Sequence, residues 1–238
     1  MISPLRIALL AALALGAAPL AMAAPDPAPQ SATETASVSE DSGTIVYRAG
    51  ARTIRLPGSG HDSMPAVSPD GRLAVVVRDG IPKKGHEATI PTELWLYTVG
   101  ADAPAPARRL LGERRSEVSE KTQTGFNNPT FSNDSATVYV LGHAWVTSDV
   151  VLAVNVATGK AHFVVDGNSV RVVRTGPYSG DLLVSRHKYH GADTGGSYDP
   201  VDLVTPAGKL ILTIPGSADD ENDTAVDSWL EAHHWTAS

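Results

Sequence analysis

Beyond residue 43 the chain alternates short apolar runs with clusters of Gly, Pro, Asn and Asp. Residues 73–77 (LAVVV), 138–141 (VYVL) and 150–156 (VVLAVNV) are apolar almost throughout, the pattern of strands buried on both faces. Residues 93–99, 107–111, 161–165, 170–174, 182–187, 200–205 and 210–214 read as further short strands. The segments between them have turn chemistry. Asp70-Gly71 supplies the positive φ of a tight hairpin turn, and Asn133-Asp134 tolerates it. Thr158-Gly159-Lys160 and Ala207-Gly208-Lys209 are hairpin signals of the same kind. With 21 Gly and 17 Pro, long helices would be interrupted repeatedly, so the pattern predicts an all-β fold.

The runs are organised as a repeat. MPAVSPDGRLAVVV from Met64 aligns with NPTFSNDSATVYVL from Asn128, so that Pro65 matches Pro129, Ser68 matches Ser132 and Asp70 matches Asp134. Each proline opens a strand, where a missing N–H does little damage. A third unit begins near Ser169, with Gly176 to Asp181 in place of the turn motif. Each unit holds four strands, the content of one propeller blade, and loops account for a repeat longer than the usual ~40–45 residues.

AVSPDGRLAVVV followed by ELWLYTV resembles the WD40-like (PD40) repeat of TolB-type β-propellers. In that family Pro-x-x-Ser-Pro-Asp-Gly spans the turn between the two inner strands. The resemblance covers residues 44–214 and implies a β-propeller-like stack of four-stranded antiparallel blades, with three units visible. Residues 44–57 read as a hairpin like the outer half of a blade, and the tail from 224 to 235 is a candidate inner half. Strands from both termini would then share a fourth blade; the alternative is an open stack whose edges need a partner.

Residues 1–23 have Arg6, an apolar run from Ile7 to about Leu20, and Ala21-Met22-Ala23 as a small-x-small cleavage pattern. This is the layout of a secretory signal, too short and too interrupted for a spanning helix of about 20 apolar residues. Residues 24–43, rich in Ala, Pro, Ser and Thr, read as a flexible leader, and residues 44–238 as the propeller-like domain. The expected location is periplasmic or secreted after cleavage near Ala23, with no transmembrane segment in the mature chain.

Composition narrows the chemistry. A net charge of −7 argues against nucleic acid, whose affinity comes from Lys and Arg neutralising phosphates. With no cysteine there is no thiolate metal site and no cysteine nucleophile. His86-Glu87 lacks the second histidine of a zincin motif, since Ile90 stands there, and 219–223 lacks the spacing of a calcium loop. No Gly-x-Ser-x-Gly elbow or phosphate loop occurs. No catalytic, cofactor or metal residue is therefore assigned. Long loops at 79–91 and 191–198 flank the repeats, and loops are where a rigid scaffold places recognition. Lys83, Lys84, His86, Trp145, His187 and His190 are the candidate binding face. The reading is a non-catalytic periplasmic scaffold or binding module for an envelope protein or small ligand, with a homodimer through open sheet edges as one assembly. The alternative is a hydrolase or lyase with its active site on the propeller axis.

Overall fold

The computed structural model describes residues 36–81, 90–100, 107–118, 121–144, 147–191, 195–218 and 222–238. All lie in one compact unit spanning residues 34–238. Strands β1 (Ser37–Asp41), β2 (Thr44–Ala49) and β3 (Arg52–Arg55) form a three-stranded antiparallel sheet. The first full blade is β4 (Asp62–Val67), β5 (Leu73–Asp79), β6 (Thr92–Thr98) and β7 (Arg108–Gly112), paired in chain order. The second is β8 (Asn127–Phe131), β9 (Thr137–His143), β10 (Asp149–Asn155) and β11 (Ala161–Asp166). In the third, β12 (Ser169–Val172) and β13 (Leu182–Ser185) are followed by a small hairpin, β14 (Lys188–Tyr189) with β15 (Ser197–Tyr198). Strands β16 (Val201–Val204) and β17 (Leu210–Thr213) then complete that sheet in the order β12-β13-β16-β17. Helix α1 (Asn222–Ala232) closes the order of elements.

The sheets stack because their middle strands are apolar on both faces. Val75, Val77 and Leu94 of the first blade meet Phe131, Val140 and Leu152 of the second. The other face of the second blade, with Tyr139, Val151 and Ala153, meets Val170, Leu182 and Val184 of the third. Ile45 and Tyr47 of β2 cover the remaining face of the first blade at Ala74, Val76 and Tyr97. Four-stranded antiparallel meanders stacked face to face are propeller blades.

The repeated turn is built from identical bonds in both copies. The Ser68 hydroxyl donates to Asp70 (2.5 Å) and accepts the Leu73 N–H (2.9 Å); Ser132 does the same with Asp134 (2.6 Å) and Thr137 (2.9 Å). The positive φ falls on Gly71 (69°) and, in the second copy, on Ser135 (60°) rather than on Asn133 or Asp134. Successive turns also touch. Tyr47 donates to the Gly71 carbonyl (2.9 Å), Ser135 bonds Asp70, and Asn133 donates to Ser179 (2.9 Å) and to the Val173 carbonyl (3.0 Å). A polar belt thus joins all four sheets at one rim.

Three expectations are corrected. The leader does not extend to residue 43, because Ser37–Asp41 pairs along β2 and Val38 packs into the core beneath. Val38 is the only apolar residue of that strand, too weak a signal to show in the sequence. The tail is a helix, not a returning strand. Asp223 favours the positive N-terminal end of the helix dipole, and Val226, Trp229 and Leu230 form one apolar stripe on the outer face of the third blade. The N–H groups of Trp235 and His234 reach back to the carbonyls of Leu230 and Glu231, with His234 left-handed (φ 56°), which terminates the helix. No fourth blade is shared by the two termini, since α1 occupies the face where it would stack. Residues 236–238 instead pair with β12: Val172 and Ser238 exchange N–H···O bonds of 2.7 and 3.1 Å. Arg174 fastens this tail, donating to Ser238 Oγ (2.7 Å), the Phe131 carbonyl (2.8 Å) and Asn133 (2.8 Å).

Candidate functional site

At the rim opposite the turn belt, the ends of β13 and β16 carry a concentration of charged and aromatic side chains. Leu182, Leu183 and Val184 anchor β13 in the core, which fixes where Arg186, His187 and Lys188 emerge. Asp202 of β16 lies fully buried among Val201, Leu203 and Val204. A buried carboxylate is tolerated only with partners. It accepts from Thr213 Oγ1 (2.6 Å) and Lys188 Nζ (3.0 Å), with Arg186 Nη1 at 3.5 Å. Arg186 also holds Asp166 of the second blade through Nη2 (2.5 Å) and Nε (3.3 Å). Two acids and two bases neutralise one another and lock the base of the β14–β15 hairpin to two blades.

Above this base the hairpin is aromatic. The His187 ring lies 4.9 Å edge-on from Tyr189, and its Nδ1 is 2.8 Å from Asp199 Oδ1. His190 stacks on Tyr198 at 4.6 Å. Tyr189 is 67% exposed, and its hydroxyl lies 3.3 Å from Thr147 Oγ1 in the loop after β9. Ser197 and Tyr198, read from the sequence as loop, are the return strand that makes this arrangement possible.

The first blade has a related construction at the same end of its second strand. Arg78 and Arg186 stand equally far along β5 and β13 from the carbonyls of Leu73 and Asp181, which take the inner-strand amides. Buried Asp62 accepts from Arg78 Nε (2.5 Å) and Nη2 (3.0 Å), and Arg78 donates to Tyr97 (2.6 Å). The Asp62 hydrogen bond pushes the Arg78 guanidinium above its ordinary pKa, while burial raises that of Tyr97. The Arg78 guanidinium also lies 4.3 Å from the centre of the Trp95 ring, a cation–π contact.

Of the six residues expected on a binding face, His187 and His190 stand together on this hairpin. Lys83, Lys84, His86 and Trp145 lie outside the described residues, and Thr147, close to Trp145 in sequence, touches the hairpin. Tyr189, Tyr198, Asp199 and Asp202 are candidate-site residues outside that expected set. An acid inside the apolar run Val-Asp-Leu-Val was the available signal for Asp202. Among the described residues no group of three or more His, Asp or Glu is placed to hold a metal ion. Nor is any helix among them long and apolar enough to cross a membrane.

The sheets define a protein of the β-propeller type, with the same Ser-x-Asp turn in two successive blades. No protein-family model matches the chain, and no curated protein does. Among solved structures it is similar to TolB from Acinetobacter baumannii, at 11% identity over 74% of this chain and 38% of that one (TM-score 0.46). The β-propeller domain of the Trilobed protease from Pyrococcus furiosus, described as having an open velcro topology, is 12% identical over 71% and 49% (TM-score 0.45). The acylaminoacyl peptidase of Pyrococcus horikoshii is 13% identical over 64% and 24% (TM-score 0.43). The chain spans about half, or less, of the length of each.

Proposed function

We propose that the chain is an exported, non-catalytic binding module that presents the β14–β15 hairpin to an envelope protein. The observation that carries this reading is the division of labour at the rim. The charged groups at the hairpin base are paired with one another, whereas Tyr189 and His190 are exposed, the histidine stacked on half-buried Tyr198. Aromatic side chains on a fixed base are the usual energetic centre of a protein interface. The signal-like residues 1–23 support export, and the TolB-type character of the Ser68–Asp70 turn supports an envelope partner.

The His187–Asp199 pair favours one second reading, a hydrolase or lyase, because a carboxylate on Nδ1 is how an imidazole is oriented for proton transfer. Affinity capture from periplasmic extract separates the two. Replacing Tyr189 and His190 together by Ala should abolish recovery of a wild-type partner while leaving thermal stability within about 1 kcal/mol, as expected of exposed positions. Recovery of the same partner by the double variant would overturn the binding role of the hairpin.

A further inference from the structure

Each blade has one extra residue in its outer strand, at the same place. Leu94 pairs with Leu111 and Trp95 with Arg109, leaving Leu110 as a bulge; Val164 is left over between Phe163 and Val165, and Ile211 between Leu210 and Leu212. In the first two blades the carbonyl of this residue is covered by a glycine turn of the following blade. A Cβ on Gly159 would collide with the Leu110 oxygen, and one on Gly208 with the Val164 oxygen. These contacts occupy one position on the outer edge of β7 and one on that of β11, and Arg108 of β7 also bonds the Val156 carbonyl of the following blade. Ile211 is the third such position, and after β17 the described chain turns into α1 rather than another blade.

The edge of β17 also lacks the charges that protect the others. β3 has Arg52 and Arg55, β7 has Arg108 and Arg109, and β11 has Asp166, whereas β17 reads Leu-Ile-Leu-Thr. Leu210 is 48% and Ile211 36% exposed. Sheet edges without charge or proline invite another strand, and a short, bulged edge such as β17 pairs weakly. The two ends of β17 differ in sign. Exposed Lys209 precedes the strand. At the far end the first turn of α1 comes back against the chain, where a Cβ on Gly216 would meet the Ala225 methyl at 3.7 Å. That turn carries exposed Asp223.

We propose that β17 pairs antiparallel with β17 of a second copy of this chain, about a two-fold axis midway between the two strands. Antiparallel self-pairing brings the basic end of each strand to the acidic end of the other, so the electrostatics favour a copy of the same edge. One four-residue strand per copy forms an interface well below the ~1,200 Å² of a stable complex, so the dimer is weak and concentration-dependent. The exposed residues of this edge, Leu210 and Ile211, are not those of the aromatic hairpin, so failure of the dimer would leave that proposal standing.

Sedimentation velocity on the exported chain, from about 5 to about 500 µM, tests it across the range expected for a weak interface. The wild type should shift from monomer to dimer within that range. Ile211→Lys should remain monomeric with an unchanged melting temperature. Lys209→Glu should weaken the dimer about tenfold, a modest loss for a rim charge, and Lys209→Glu with Asp223→Lys should restore it. The double exchange keeps the test independent of whether Ile211→Lys folds. A wild type that stays monomeric throughout, or a dimer indifferent to all three variants, overturns the proposal.

Discussion

Gly208 and Gly159 show how far one hydrogen in place of a side chain decides packing between blades. Both have positive φ (79° and 68°), and both face a backbone oxygen of the preceding blade that cannot move independently of its sheet. Alanine at either position meets two costs, the left-handed backbone of a Cβ-bearing residue and the loss of close approach. Together these should destabilise by about 2–4 kcal/mol. Gly60 separates the terms, because its φ is 80° and a Cβ there meets nothing within 4 Å. Gly60→Ala should cost only about 1–2 kcal/mol. Urea denaturation of the three variants checks this, and equal losses would show that the inter-blade contact contributes nothing. The sequence identifies both glycines as turn residues but not as docks, since the oxygen each one faces comes from a strand far away along the chain.

Among the elements, the repeated Ser-x-Asp turn was the most legible because all its bonds are local. Ser132 and Asp134 could be matched to Ser68 and Asp70 by spacing alone, and the bonds are the same. The element also makes a pH-dependent contribution. The Ser132 hydroxyl and the Ala136 N–H hold the Asp134 carboxyl below its ordinary value of 3.8. A carboxylate depressed in the folded state stabilises fully above the unfolded pKa, and the stabilisation is lost as pH falls through the lower folded value. Asp134→Asn should therefore be less stable than wild type at pH 7, and the gap should close as the pH drops below 3.8. Thermal melts of both proteins across that range measure it; a gap constant with pH would refute the charge-dependent part. Helix α1 was illegible for the opposite reason. Its stripe of Val226, Trp229 and Leu230 is short, and what selects a helix there is the apolar face of Leu183, Val201 and Leu203 that it covers. The β14–β15 hairpin was likewise hidden, because two residues per strand carry no periodicity.

At the scale of the molecule, and among the described residues, each sheet has its apolar contact with its neighbours: β1–β3 with the first blade, the first with the second, the second with the third, and the third with α1. A stack coupled through nearest neighbours should lose order from its ends. The second blade is covered by blades on both faces, and Val150, Val151, Leu152 and Val154 of β10 are completely buried. The three-stranded sheet is joined to the rest through one face, by the Tyr47–Gly71 bond at the belt and by the bond from the Asp62 N–H to the Gly43 carbonyl (3.3 Å). Native-state hydrogen exchange should therefore rank β9 and β10 amides slowest, at the free energy of global unfolding, and β1–β3 amides faster by opening of that sheet alone. Removing the belt contact with Tyr47→Phe should speed exchange in β1–β3 about fivefold, the effect of one net hydrogen bond of about 1 kcal/mol, and leave β9 and β10 nearly unchanged. Uniform acceleration in every strand would mean that the sheets unfold as one cooperative unit and that the belt couples them more tightly than their apolar faces do.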